Sequence, residues 1–317
     1  MIIRTVNSSP DRDTVRRRWA SVLAGALALA LTACSGSADG SAATAAGSAS
    51  PITVLASTNV WGDLVEQVGG EQVEVTSVIS DPSADPHAFQ SNARDQLALS
   101  KAALIVENGG GYDDFMQTML ASAASTTPVI NAVQVSGIGA TDGELNEHVW
   151  YDLPSVGKVA DAVAEQLSTI DPANAASFKA NAEAFGTSLA DLTGQVEQIK
   201  AKHGGTPVAI TEPVPLYLIE AAGLANVTPE QFSEAIENET DVPAAVLDQT
   251  LKLFTDRQVS VLVNNEQTTG PQTQAVVDAA TAAGIPVVSV TETLPAGQDY
   301  LSWMQANIQA LAQALGG

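Results

Sequence analysis

Cysteine is almost absent from this 317-residue chain: one thiol, at position 34, excludes an intrachain disulfide framework and any cysteine-based metal cluster. Histidine is nearly as scarce, with three residues, so each ring can be weighed separately. No His-Glu-x-x-His helix and no Gly-x-Ser-x-Gly elbow occurs, which removes two common hydrolase designs. Basic residues are few, 13 against 36 acidic, for a formal net charge of −23. Such a surface repels nucleic acid and anionic substrates and concentrates cations, although diffuse acidity serves solubility or salt adaptation equally well. No apolar run reaches the roughly 20 residues of a membrane-spanning helix.

The longest weakly polar to apolar run, Trp19 to Ala33, follows Arg4, Arg12, Arg16, Arg17 and Arg18. A basic segment followed by a short apolar one is the pattern of a secretory signal peptide. The run ends in Leu31-Thr32-Ala33-Cys34, which resembles the lipobox of bacterial lipoprotein precursors. The resemblance implies removal of residues 1–33 and a lipid on Cys34; an ordinary signal peptide with a chance cysteine is the plainer reading. Residues 34–50 consist of small and polar residues after the cysteine, and a flexible tether is expected there rather than a helix. Processing would remove 5 of the 13 basic and 2 of the 36 acidic residues, leaving 8 against 34 and a net charge of −26.

The remaining 267 residues suffice for two ordinary domains. Short apolar runs at 52–56, 74–79, 103–106 and 128–131 read as strands, separated by helical patterns near 60, 95–100 and 112–124. Strands at 207–210, 259–263 and 286–290 repeat the alternation, with helices at 216–222, within 242–255, at 272–283 and at 300–315. This predicts an α/β fold of two lobes, each a mostly parallel sheet flanked by helices. Between them, a helix at 155–170 precedes a longer one. Asp171 is its expected cap, Pro172 its first turn, and Phe178, Phe185, Leu189, Leu192, Val196 and Ile199 its buried stripe. Some thirty residues span about 45 Å, enough to join two lobes rigidly. The expected division is an N-terminal lobe at 51–170, a connecting helix at 171–204 and a C-terminal lobe at 205–317.

His203 falls in the last turn of the long helix, where a cation suits the exposed carbonyls. His87, in Asp81-Pro82-Ser83-Ala84-Asp85-Pro86-His87-Ala88-Phe89, and His148, in Glu147-His148-Val149-Trp150-Tyr151, instead stand in loops. Loops that leave the carboxyl ends of parallel strands are where ligands bind. The two rings could share a metal or serve separate surface and capping roles. Glu212 and Glu292 each follow a predicted strand of the second lobe, and could be ligands or merely capping and surface acids. Histidine with carboxylate suits Zn²⁺, Mn²⁺ or Fe²⁺.

Taken together, these residues resemble the cluster A-I metal-binding lipoproteins that feed zinc or manganese to ABC importers. The resemblance covers nearly the whole chain beyond the tether. It is carried by Asp85-Pro86-His87-Ala88-Phe89 with Asp95 beyond, by His148-Val149-Trp150 before Pro154, and by Glu212 five residues ahead of Tyr217. Glu292 in Val290-Thr291-Glu292-Thr293-Leu294-Pro295 stands where the family usually has aspartate. The resemblance implies a metal shell of His87, His148, Glu212 and Glu292, with Asn265 or Glu266 hydrogen-bonding that shell. It also implies capture of Mn²⁺ or Zn²⁺ between the lobes as cargo, and delivery to a membrane permease. On this reading the protein is a monomer and not an enzyme, held by lipid on the extracytoplasmic face of a bacterial cell membrane. The stretch before His148 lacks the histidine-rich loop of many zinc-specific relatives, which tilts the expectation to manganese. A secreted metallohydrolase with zinc-bound water and a surface adhesion lipoprotein are the competing classes.

Overall fold

Ile52–Thr58 (β1) is apolar at most positions and buried on both faces, as a strand in the middle of a helix-covered parallel sheet must be. It runs directly into Asn59–Gly69 (α1), which buries Val60, Trp61, Leu64, Val65 and Val68. Val73–Ile79 (β2) alternates exposed Glu74 and Thr76 with covered neighbours, the signature of an edge strand. The first lobe continues through Ala93–Lys101 (α2), Leu104–Glu107 (β3), Asp114–Ala123 (α3), Val129–Asn131 (β4) and Ala132–Ser136 (α4). A single 3₁₀ turn, Val149–Tyr151, leads into Leu153–Ile170 (α5). The computed structural model describes residues 50–81, 89–140 and 145–316. Cys34 with the whole leader, and His87, Asp85, Asp142 and Glu144, lie outside the described residues. Among the described residues, no helix is long and apolar enough to cross a membrane.

Ala175–His203 (α6) is the long helix, 29 residues or about 43 Å. It buries Phe178, Phe185, Leu189, Leu192, Val196 and Ile199, the expected stripe, along α5 and α1. Its start differs from expectation. Asp171 closes α5, its N–H bonding Leu167 O at 2.8 Å, while its carboxylate accepts from the Ala173 N–H and the Asn174 amide. Those bonds make a local turn of 171–174, so the helix begins three residues late. It ends at Gly204-Gly205, where Gly205 takes φ = +81°, a conformation a side chain would strain.

The second lobe comprises Pro207–Ile210 (β5), Leu216–Ala221 (α7), Ala225–Asn226 (β6), Glu230–Glu237 (α8) and Ala244–Thr255 (α9). Leu262–Asn265 (β7), Pro271–Ala283 (α10), Val287–Val290 (β8) and Tyr300–Ala314 (α11) complete it. The two sheets have strand orders β2-β1-β3-β4 and β6-β5-β7-β8, parallel throughout. Each reverses direction beside its first strand, between β1 and β3 and between β5 and β7. These are the switch points outside which open α/β sheets bind ligands.

The strand expected at 259–263 instead occupies Leu262–Asn265, starting three residues later and taking in Asn264 and Asn265. Asparagine is a poor strand residue in isolation. Here β7 lies between β5 and β8, and the Asn265 N–H donates to the Thr211 hydroxyl at 2.9 Å. The short strand β6 and helix α8 were not foreseen. Helix α11 packs against α6 and β8, and one apolar core runs through both lobes by way of α5, α6 and α11.

Candidate metal site

Glu212 lies two residues beyond β5, Asn265 is the last residue of β7, and Glu292 lies two residues beyond β8. All three therefore stand at carboxyl ends of adjacent strands, around the switch point of the second sheet. They are nearly inaccessible, at 2 %, 1 % and 3 % exposure. The Asn265 amide donates to Glu292 Oε1 at 2.8 Å, and Asn265 and Thr268 also hydrogen-bond Glu212. Gln267 reaches back to accept from the Glu292 backbone N–H. Glu266, by contrast, is exposed, so of the two candidate supports only Asn265 contacts the carboxylates.

His148 comes from the first lobe, immediately before the 3₁₀ turn, and is fully buried. Its tautomer follows from Asn146. The Asn146 amide nitrogen donates to Pro213 O at 3.1 Å, which leaves its Oδ1 as an acceptor. Oδ1 accepts from the His148 backbone N–H at 3.1 Å and lies 2.7 Å from Nδ1. Nδ1 must therefore carry a proton, which leaves Nε2 as the ring atom available to a metal, the orientation in which a second group fixes a metal-binding imidazole. Nε2 lies 3.5 Å from Oε1 of Glu237, the last residue of α8.

Burial, reinforced by the charges of Glu237 and Glu292 and opposed by the bonds from Asn265 and Thr268, pushes the Glu212 carboxyl up to about 8. Its Oε2 is buried without a hydrogen-bond partner among the described residues. Tyr112 packs its ring 4.7 Å from Trp150 and 6.0 Å from His148. Burial, then the charge of Glu292 and a hydrogen bond to it, hold that phenol well above the ordinary tyrosine range. All eight Lys and Arg residues beyond position 50 are exposed, so no basic side chain is buried alongside these carboxylates. The donor set is one imidazole with several carboxylates, hard to borderline, and suits a divalent cation of the first transition row.

The profile of a family described as zinc-uptake complex component A, periplasmic (ZnuA), matches residues 54–314. The chain belongs to this family. Among curated relatives, the manganese-binding lipoprotein MntA of Halalkalibacterium halodurans is 27% identical over 223 residues, 63% of this chain and 72% of that protein. The manganese ABC transporter substrate-binding lipoprotein PsaA of Streptococcus anginosus is 23% identical over 318 residues, 90% of this chain and 95% of its own. The fold is that of the periplasmic zinc-binding protein TroA from Treponema pallidum. That structure has TM-score 0.71 and 19% identity, covering 85% of this chain and 100% of the other.

In this member of the ZnuA family the lobes are tied directly around the site. The Tyr217 hydroxyl donates to Asn146 O at 2.6 Å, Tyr151 to Thr291 O at 2.8 Å, and Tyr300 to Trp150 O at 2.7 Å. The Asn59 side chain pairs with Leu294 like a strand partner, donating to its carbonyl at 3.0 Å and accepting from its N–H at 2.9 Å. Asp63 of α1 accepts from the first N–H of α11 at 2.8 Å, placing a carboxylate on that helix's positive end. The structure thus buries His148, Glu212 and Glu292 where the lobes meet, with donor atoms of His148, Glu147 and Glu237 within 4.8 Å of one another, while His87 lies outside the described residues.

Two side chains of the cleft went unread in the sequence. Glu237 closes a helix that was not foreseen. Tyr112 was assigned to a helix, but α3 begins only at Asp114, and Tyr112 belongs to the loop leaving β3. There Gly109, Gly110 and Gly111 all take positive φ, and the Asp113 carboxylate accepts from the Asn108 and Gly109 N–H groups at 2.6 and 2.8 Å. Three glycines followed by an aromatic residue at a strand end were the available signal.

Proposed function

We propose that this protein is an extracytoplasmic solute-binding lipoprotein that captures Mn²⁺ or Zn²⁺ between its lobes and delivers it to an ABC import permease. The observation that carries this reading is a pair of buried carboxyls that must ionise to be used. Glu212 and Glu292 are nearly inaccessible and His148 is fully buried, while all eight Lys and Arg residues beyond position 50 are exposed, so none of these offsets negative charge there. Such charge is costly in low dielectric until a cation offsets it. His87, which follows β2 in sequence, supplies the second imidazole, so the shell is His87, His148, Glu212 and Glu292, with Asn265 steadying both carboxylates. Relatives named as manganese-binding and as manganese ABC transporter substrate-binding lipoproteins support the cargo and the partner.

The metal is carried, not used for catalysis, and the protein acts as a monomer. Residues 1–33 are the signal peptide, Cys34 takes the lipid, and residues up to 50 tether the body to the membrane. The lobes are 51–170 and 205–317, joined by the helix within 171–204. That helix and the interlobe bonds oppose a wide hinge, so entry and release proceed by loop rearrangement and a small tilt.

The test is metal analysis of protein purified without added metal, followed by titration of the stripped protein with MnCl₂ and ZnCl₂. Stoichiometric binding with a raised melting temperature is expected, and loss of both in His148→Ala and Glu212→Ala. Unchanged affinity in either variant removes that residue from the shell, and absence of binding in the wild type refutes the function.

A further inference from the structure

Helix α8 delivers to the cleft a third carboxylate that the proposed shell does not use. Glu237 Oε1 stands 3.5 Å from His148 Nε2, and donor atoms of Glu147, His148 and Glu237 all fall within 4.8 Å of one another. Two donors each about 2.1 Å from a shared ion and about 110° apart are separated by about 3.5 Å, so the observed gap already has the width of a coordinated pair. Glu212 bears on the same point independently. It is 2 % exposed, its Oε2 lacks a hydrogen-bond partner among the described residues, and Glu237 is the foremost of the neighbouring charges that act on it.

The helix end is an unfavourable place for Glu237. As the last residue of α8 it places an acid at the negative end of the helix, where the macrodipole disfavours it. The helix is nonetheless fixed in place, since it buries Phe232, Ser233 and Ile236. Its C-terminal turn therefore presents the carboxylate beside the imidazole, at a position that the helix dipole does not favour.

We propose that Glu237 is a further ligand of the transported ion and that it sets the preference of the site for manganese over zinc. This rests on the metal-carrier reading above. Glu212, Glu237 and Glu292 give three carboxylates, and with the His148 imidazole and any one carboxylate bidentate they supply more donors than the four of a tetrahedral zinc site. Mn²⁺ takes six oxygen-rich ligands readily, whereas Zn²⁺ is already satisfied by four and gains little from a fifth. Glu237 thus adds affinity chiefly to the ion that can use it.

The experiment is competition titration of metal-stripped wild type, Glu237→Gln and Glu237→Ala with MnCl₂ and ZnCl₂ against a chelating indicator. Losing a ligand costs at least what losing its hydrogen-bonding support does, so Mn²⁺ affinity should fall by roughly 30-fold or more and Zn²⁺ affinity by about 3-fold or less. A ratio of the two affinities unchanged in both variants overturns the proposal. The visible spectrum of the Co²⁺ adduct gives a readout that a merely structural role would not move. Weak bands of a high-coordinate ion are expected in the wild type and stronger four-coordinate bands in Glu237→Gln; superimposable spectra refute ligation. If wild type binds neither metal, the carrier function fails. If it binds both and the variants match it, only the role of Glu237 fails.

Discussion

Replacing Glu212 by glutamine should make the metal-free protein more stable and the metal-bound protein impossible to form. The carboxyl of Glu212 titrates near 8 in the folded chain, against an ordinary value of 4.5. Between those two values the folded state holds a proton that the unfolded state has released. Stability is therefore full below pH 4.5 and is lost as pH rises to 8. At about 1.4 kcal/mol per pH unit, the loss reaches about 3 kcal/mol by pH 7 and about 5 kcal/mol by pH 8. Glutamine has nearly the same shape, stays neutral, and can still accept from Asn265 and Thr268. In metal-free protein Glu212→Gln should thus gain on the wild type as pH rises from 5 to 8. At about 2–4 °C per kcal/mol the difference in melting temperature is roughly 6–12 °C at pH 7. Adding MnCl₂ or ZnCl₂ should invert the order, because binding stabilises only a chain that can bind. Thermal or urea unfolding at several pH values, with and without metal, measures both effects. Parallel pH profiles for the two metal-free proteins would refute the argument, since they would show that Glu212 is not the acid buried uncompensated.

Asn146→Ala should release the proton-bearing face of His148 and uncouple its loop from Pro213, lowering metal affinity roughly 10- to 100-fold in competition titrations. Gly109→Ala places a methyl 2.1 Å from the Asn131 amide at φ = +77°; a loss of about 2–3 kcal/mol is expected in urea unfolding. Tyr300→Phe removes one buried bond from the lobe contact and leaves the Trp150 carbonyl without it, for about 1–3 kcal/mol, with metal affinity changed far less.

Strand positions were readable because parallel strands buried on both faces need apolar runs, as residues 104–106 of β3 and Pro207–Ile210 supply. The places of Glu212 and Glu292 followed from the same logic, since residues just past such strands face the crevice. What stayed hidden was tertiary in origin. Asn264 and Asn265 are strand residues only because a neighbour lies on either side. Helix α8 carries only two large apolar residues, Phe232 and Ile236, four apart, in a short stretch after Thr228-Pro229. That stripe is too narrow to stand out, so its terminal acid was one of 36 with nothing to single it out. The tautomer of His148 could not be read at all, because it depends on a proline carbonyl 67 positions from Asn146.

The tyrosines and the asparagine that hold the halves together all end on main-chain atoms: the carbonyls of Asn146, Trp150, Thr291 and Leu294, and one amide. A main-chain acceptor exists whatever side chain it carries. The receiving segments flank His148 and Glu292 and can exchange side chains while keeping these bonds, Asn146 excepted, whose own amide reaches Pro213 in the other lobe. Tuning of the cargo and firmness of the clasp are separable properties in this architecture, and a designer could alter one while leaving the other untouched.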